Sequence, residues 1–121
     1  MSNVVKRIDT VFLHVANLND AVNWYKDVFG FNSVFESDDG RHERYTVLEV
    51  GETSMTLLEK NSVNNGALTY PILYFFADDI EKTHHKVKNH SLDCSDITFE
   101  DGVTFFEFKD LDGNPLGVCH F

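Results

Sequence analysis

The sequence has few cysteines and lacks long apolar runs, and each shortage excludes a class of protein. Its two cysteines, Cys94 and Cys119, lie far apart and outside any CxxC pattern. A disulfide framework needs more cysteines, so we expect both to be reduced thiols. No apolar run approaches the roughly 18 residues of a membrane-spanning helix, and Met1–Asp9 contains no apolar segment of a signal peptide. We therefore expect a cytoplasmic protein that has no membrane partner.

Basic residues are also scarce relative to acidic ones. Ten lysines and arginines face 20 aspartates and glutamates, which gives a net charge of -10 and a pI of about 4.8. A nucleic-acid backbone would be repelled on average, so we expect no nucleic-acid partner. The sequence also contains no glycine-rich phosphate loop, no nucleophile elbow of a Ser-His-Asp hydrolase and no basic patch. A neutral or cationic small molecule remains compatible with this charge, whose main effect is on solubility.

The composition that remains is that of a folded domain rich in aromatic residues. Hydrophobic residues make up 42% of the chain, charged residues make up 25%, and 11 residues are phenylalanine. A length of 121 residues suits one domain and is too short for two independent cores. The phenylalanines exceed what a core of this size needs, so some of them are candidates for a ligand pocket.

The first half of the sequence predicts one β-α-β-β-β unit over residues 8–59. Leu18, Val22, Tyr25 and Phe29 recur at helical spacing, preceded by a capping asparagine and followed by Gly30. Turn residues separate short apolar runs elsewhere. The predicted elements are strands at 8–15, 32–36, 44–50 and 53–59, and a helix at 18–29.

The second half repeats this order over residues 71–121, after a polar, asparagine-rich linker at residues 60–70. Asp78 or Asp79 caps a second helix whose apolar stripe contains Ile80 and Val87. The predicted strands are 71–77, 93–99, 103–109 and 116–121. The chain is thus predicted to be a single α+β domain of two βαβββ repeats, whose cupped, mostly antiparallel sheets surround a cleft.

Three stretches resemble one superfamily across nearly the whole chain. They are His14–Leu18 with Trp24–Tyr25 and Phe29–Phe31, then Ala77–Ile80, and finally Phe106–Asn114 with its Asp-Leu-Asp-Gly-Asn turn. Together they resemble the vicinal-oxygen-chelate superfamily, which contains glyoxalases, extradiol dioxygenases, fosfomycin-resistance transferases and bleomycin-resistance proteins. The resemblance implies the paired βαβββ fold. It also implies an interdomain or intersubunit cleft, so we expect a homodimer, with pairing of the repeats within or between chains left open.

The same resemblance implies four positions for divalent-metal ligands, and this chain fills them poorly. They fall on Thr10, Thr56, Ile72 and Gly117, where the family's enzymes carry histidine, glutamate or glutamine. Isoleucine and glycine offer no donor atom, and threonine is a poor neutral ligand. We therefore expect no metal and no other cofactor.

Strand alternation predicts which side chains line the cleft instead. An aromatic wall with a few polar groups matches a flat or amphipathic small molecule, cationic or aromatic, held by stacking and cation–π contacts. The predicted ligand-binding residues are Phe12, His14, Tyr45, Glu49, Thr56, Tyr74, Phe76, Phe105 and Glu107.

Three functions fit this site. The favoured one is a metal-free protein that binds a drug or metabolite without transforming it, like the bleomycin-resistance branch. An alternative is a metal-dependent lyase or dioxygenase of the glyoxalase type with displaced ligands, using His14 and Glu107. The third is a non-catalytic assembly or regulatory module. The catalytic residues, if there are any, are not identified by the sequence.

Overall fold

The computed structural model describes residues 4–40, 43–60 and 69–121. Both halves have the predicted order β-α-β-β-β. In the first half the elements are β1 (Thr10–Val15), α1 (Leu18–Phe29), β2 (Ser33–Ser37), β3 (Tyr45–Val50) and β4 (Thr53–Glu59). In the second they are β5 (Tyr74–Phe76), α2 (Ile80–His90), β6 (Thr98–Glu100), β7 (Val103–Lys109) and β8 (Pro115–His120). Most of the predicted linker, residues 61–68, lies outside the described residues.

Local side-chain chemistry fixes both ends of α1. The Asn17 side chain accepts a hydrogen bond from the Asp20 backbone N–H at 3.0 Å, which satisfies a free donor of the first turn. At the other end Gly30 adopts a left-handed conformation with φ 75° and donates its N–H to Lys26 O. The observed helix has the predicted bounds. In α2 the Asp79 carboxylate is the cap, and it accepts a hydrogen bond from the Lys82 backbone N–H at 3.1 Å.

Each half forms its own four-stranded sheet with the same topology. The strand orders are β1-β4-β3-β2 and β5-β8-β7-β6. The first strand of each half runs parallel to the last, and the other pairs are antiparallel. The registers correspond as well, because Phe12 pairs with Thr56 in one sheet and Tyr74 pairs with Gly117 in the other. The repeat predicted from element order is therefore present in the register of the backbone.

Two strands are less than half as long as predicted. Strand β5 covers Tyr74–Phe76 instead of residues 71–77, although backbone bonds from Ile72 N to Pro115 O and from Ala77 N to Cys119 O extend its pairing. Strand β6 is Thr98–Glu100 instead of residues 93–99. The earlier part of that stretch does lie along β7, but there the Ser95 hydroxyl, instead of a backbone carbonyl, accepts the Glu107 N–H. This side-chain substitution interrupts the regular ladder that alternation alone predicts.

The two halves are joined on the side of the sheets that faces the helices. Trp24 stacks on Phe108 with ring centroids 6.2 Å apart, and Phe29 contacts Phe75 at 5.2 Å. A polar joint accompanies them, because the buried Tyr25 hydroxyl donates to the Asp110 carboxylate at 2.6 Å. One shared core thus serves both repeats. Neither helix is long and apolar enough to cross a membrane, for the residues that the structure describes.

Candidate binding site

Each sheet has a second face, directed away from the core, which we call the open face. In β1 the side chains of Leu13 and Val15 are buried, whereas those of Phe12 and His14, which alternate with them, are exposed. In β7 Phe106 and Phe108 are buried, and Glu107 between them is exposed. The predicted alternation is therefore confirmed for both strands. Together with the strand registers, it places all nine predicted ligand-binding residues at open-face positions of one sheet or the other.

On the open face of the first sheet, two hydroxyls satisfy each other. Thr10 Oγ1 and Thr56 Oγ1 are 2.8 Å apart and share a hydrogen bond. The Thr56 side chain is only 3% exposed, so it can contribute little contact area to a ligand in a single chain. The exposed groups of this face are the Phe12 ring, the His14 imidazole and the Glu49 carboxylate, with Tyr45 half-buried against Phe35.

On the open face of the second sheet, an aromatic ring crosses the central strand. Gly117 of β8 pairs with Tyr74 on one side and with Glu107 on the other. The Tyr74 ring lies over Gly117, and its hydroxyl donates a short hydrogen bond to Glu107 Oε2. Phe105 meets the Tyr74 ring edge-on at 6.3 Å. Four predicted residues are neighbours here, since Phe76 follows on β5, packed against His120 and Phe121.

The environment of Tyr74 keeps its hydroxyl protonated over a wide pH range. Desolvation is the largest cause, followed by the hydrogen bond to Glu107 and the charge of that carboxylate. Together they raise the pKa of Tyr74 to about 12. Burial also raises the pKa of the Cys119 thiol. A raised pKa leaves little thiolate at neutral pH, which does not favour a nucleophilic role for this cysteine.

Of the cavities on this surface, two bear on the site, and a different set of residues surrounds the first. This cavity, of about 610 Å³, opens between the halves on the helix-facing side and includes Phe29, Phe31, Leu73 and Phe75 in its wall. Of the predicted site residues, only Tyr74 and Phe76 belong to it. The sequence analysis placed none of these three phenylalanines in the predicted ligand site. Nothing in their spacing signals that the packing between the repeats is incomplete.

The second cavity, of about 380 Å³, adjoins the open face of the second sheet. Glu107 lines it together with Lys109, whose ammonium group pairs with Asp93 at 3.6 Å. Its remaining wall comes from neighbouring segments: Thr69, Tyr70, Pro71, Cys94, Ser95, Phe108 and Pro115. The sequence analysis did not assign Tyr70 or Pro71 to the site; both lie just before the observed strand β5. Glu107 is thus approachable from a concave part of the surface.

The four positions that correspond to the superfamily's metal ligands do not form a suitable donor set. Two carry hydroxyls that are bonded to each other, Ile72 has an aliphatic side chain, and the space over Gly117 is filled by the Tyr74 ring. Over the described ranges, no group of three or more histidine, cysteine or carboxylate side chains is arranged to hold a metal ion. The residues present therefore do not fit a divalent cation.

Comparison with known proteins supports the fold described above. Residues 7–118 match the family model described as the glyoxalase/bleomycin resistance protein/dioxygenase superfamily. A search of the curated proteins gave no significant match.

Solved structures with this fold come from several bacteria. The antibiotic-binding protein TnmS3 from Streptomyces sp. CB03234 has a TM-score of 0.81 and 16% identity, with 98% of each chain covered. The fosfomycin resistance protein FosX from Listeria monocytogenes has a TM-score of 0.80 and 11% identity over 98% of this chain and 95% of its own. A glyoxalase family protein from Enterococcus faecalis has a TM-score of 0.78 and 20% identity over 94% of this chain and 97% of its own. At these identities the likeness shows the fold alone.

Proposed function

This chain belongs to the glyoxalase/bleomycin resistance protein/dioxygenase superfamily, and on that premise we propose that it binds a small organic molecule on its open faces without a metal ion. The observation that carries the proposal is the exposure of large aromatic rings at open-face positions. Phe12 is 62% exposed, Phe76 is 52% exposed and Tyr74 is 41% exposed. Rings left in water beside a few polar groups are typical of a ligand surface.

The chemistry of the open faces supports binding by stacking and shape. Aromatic side chains offer a large contact area and restrict few rotatable bonds when they bind. His14, Glu49 and Glu107 add polar groups at the edges of the aromatic surface. The printed names of two structural neighbours, an antibiotic-binding protein and a fosfomycin resistance protein, favour a ligand of drug or metabolite size.

The proposal includes a homodimer in which a second copy covers the open faces. No hydrogen bond or ring contact joins an open-face side chain of one sheet to one of the other, among residues 4–40, 43–60 and 69–121. A ligand on a single chain would keep much of its surface in water. Two chains that bring these faces together would enclose it and would bury the exposed rings. Sedimentation at micromolar concentration tests this, and a strictly monomeric species would contradict it.

Ligand titration of matched variants tests the binding function. A panel of flat aromatic compounds is screened by thermal shift, because a ligand that binds only the folded protein raises its Tm. Phe12→Ala and Phe76→Ala should each weaken the binding of any hit about tenfold, whereas Phe99→Ala should not. Phe99 is a matched control because it is 72% exposed but lies on the opposite face of the second sheet. Equal effects at all three positions would contradict an open-face site.

A further inference from the structure

Because Gly117 has no side chain, the side chains of Tyr74 and Glu107 can meet across strand β8. Strand β8 runs between β5 and β7, so a side chain at position 117 would stand between Tyr74 and Glu107. A Cβ atom there would lie 2.6 Å from Cδ2 and 2.7 Å from Cζ of Tyr74, which is closer than carbon atoms approach. Glycine thus allows the ring to lie flat across the strand and to reach the carboxylate of Glu107.

The hydrogen bond uses one carboxylate oxygen of Glu107, and no side chain among the described residues pairs with the other. The Tyr74 hydroxyl donates to Oε2. In the described part of the chain, no lysine, arginine or histidine pairs with Glu107; the nearby Lys109 is engaged by Asp93. The serine beside this strand bonds the Glu107 backbone, not its side chain. The side chain is nevertheless fixed in position, because the tyrosine holds it from across β8.

We propose that Tyr74, Gly117 and Glu107 form a subsite for the protonated amine of an organic ligand. This inference rests on the proposed binding function and names the chemistry of one part of the ligand. The carboxylate accepts an N–H of the ammonium group, and the face of the Tyr74 ring attracts the same cation. Phe105, edge-on to that ring, extends the aromatic surface for the adjoining part of the molecule.

The surroundings of the subsite favour a cation over an anion. Glu107 lines the cavity of about 380 Å³, which gives a ligand a concave approach to the carboxylate. The chain as a whole carries a net charge of -10, which raises the local concentration of cations and repels anions. A phenol, a carboxylate and a ring face provide no fixed positive charge that would bind a phosphate or a carboxylate ligand.

Two probes of nearly equal shape separate the contribution of the ligand's charge from that of its aromatic ring. Naphthylmethylamine is a cation at neutral pH, and naphthylmethanol has nearly the same shape without the charge. We expect isothermal titration of the wild-type protein to show about five- to tenfold tighter binding of the amine, the size typical of a partly exposed ion pair with a cation–π contact. Glu107→Gln should reduce this preference to about twofold, the part that the cation–π contact with Tyr74 retains, and leave the affinity for the alcohol unchanged.

Two further variants make the result specific to this subsite. Glu52→Gln removes the same charge from the exposed β3–β4 turn and should leave the preference for the amine intact. Tyr74→Phe keeps the ring but releases the carboxylate, so it should reduce the preference about twofold. All three substitutions are at exposed side chains, so the folded state is expected to persist.

The outcomes distinguish this inference from the function on which it rests. Equal affinity of the wild-type protein for both probes, or a preference that Glu107→Gln leaves undiminished, would overturn the cation subsite and leave the aromatic binding function standing. A failure of both probes to bind, even at millimolar concentration, would overturn both proposals.

Discussion

The two halves of this molecule share a backbone and differ in how they fill the same positions. Phe12 stands opposite Thr56 in the first sheet, as Tyr74 stands opposite Gly117 in the second. In the first half, the hydroxyls of Thr10 and Thr56 bond to each other at 2.8 Å. In the second half, there is no side chain at position 117, and an aromatic ring occupies the space.

The difference shows that equivalent positions of the two sheets are filled in two physically distinct ways. Paired hydroxyls leave a small polar patch that satisfies its own hydrogen bonds and takes no ligand charge. A ring over glycine leaves an apolar surface and can hold a carboxylate in place. We therefore expect the second sheet to determine which ligand binds. The first sheet should contribute mainly the Phe12 ring and the shape of the site.

The largest expected effect comes from the turn between β7 and β8, which joins the second half to the first. Asp110 accepts hydrogen bonds from Tyr25, from the Asn114 side chain and from two backbone N–H groups of its own turn. Asp110→Ala should lower the free energy of unfolding by about 3 kcal/mol, because it leaves buried donors without a partner. Urea denaturation measures this loss.

The matched control for that variant lies two residues away in the same turn. Among the described residues, Asp112 accepts a hydrogen bond only from the Ala16 N–H, at 2.9 Å, and it is less buried. Asp112→Ala should cost about 1 kcal/mol. Equal losses for the two variants would show that the turn does not join the halves through Asp110.

Breaking the contact at Gly117 should have the next largest effect. Gly117→Ala forces the Tyr74 ring off β8 and separates it from Glu107, so we expect a loss of about 1–2 kcal/mol in stability. In a Tyr74→Ala background the same substitution should cost less than about 0.5 kcal/mol, because no ring remains to be displaced. Chemical denaturation of the four proteins in this cycle gives the coupling. Additive losses would contradict the contact.

The threonine pair in the first half should show a smaller coupling. Thr10→Val and Thr56→Val each leave one hydroxyl without its partner, whereas the double variant removes both. We expect each single change to cost about 1 kcal/mol and the double variant to cost less than their sum. A double variant that costs the full sum would show that the two hydroxyls are independently satisfied by solvent.

The smallest expected effect is on the titration of Tyr74. Its pKa of about 12 lies above the usual 10.0 for tyrosine, first through desolvation and second through the bond to Glu107. Because the folded state favours the protonated form, this group stabilises the fold below pH 10 and loses that contribution as the pH rises toward 12. Glu107→Gln should lower the pKa toward its usual value in an ultraviolet titration. An unchanged pKa would mean that desolvation alone sets it.

Local patterns in the sequence were sufficient to predict most of the backbone. Helix α1 and strands β4 and β7 have the predicted bounds, because capping residues, glycine and alternation act over a few neighbouring positions. The repeat was also predicted, and it follows from the order of those elements. Strand β6 was misplaced because the Ser95 hydroxyl accepts a ladder hydrogen bond, which the apolar pattern does not show.

Contacts between distant segments were beyond such patterns. The bond between Tyr25 and Asp110 links residues 85 positions apart, and the Tyr74–Glu107 bond depends on a glycine in the strand between them. Strand alternation placed Tyr74 and Glu107 on one face of the second sheet but did not indicate that their side chains touch. The cavity beside Phe29 and Phe75 results from how the two repeats pack, which composition does not determine. The homodimer stays a prediction.

We propose above all that aromatic and polar side chains of the open faces bind the ligand without a metal ion. This proposal is tested most directly by the affinity for naphthylmethylamine, measured before and after dialysis of the protein against a strong chelator. We predict the same affinity in both samples, since Thr10, Thr56, Ile72 and Gly117 offer no ligand set for a divalent cation. Binding that is lost on chelation and restored by a stoichiometric divalent metal would contradict the account.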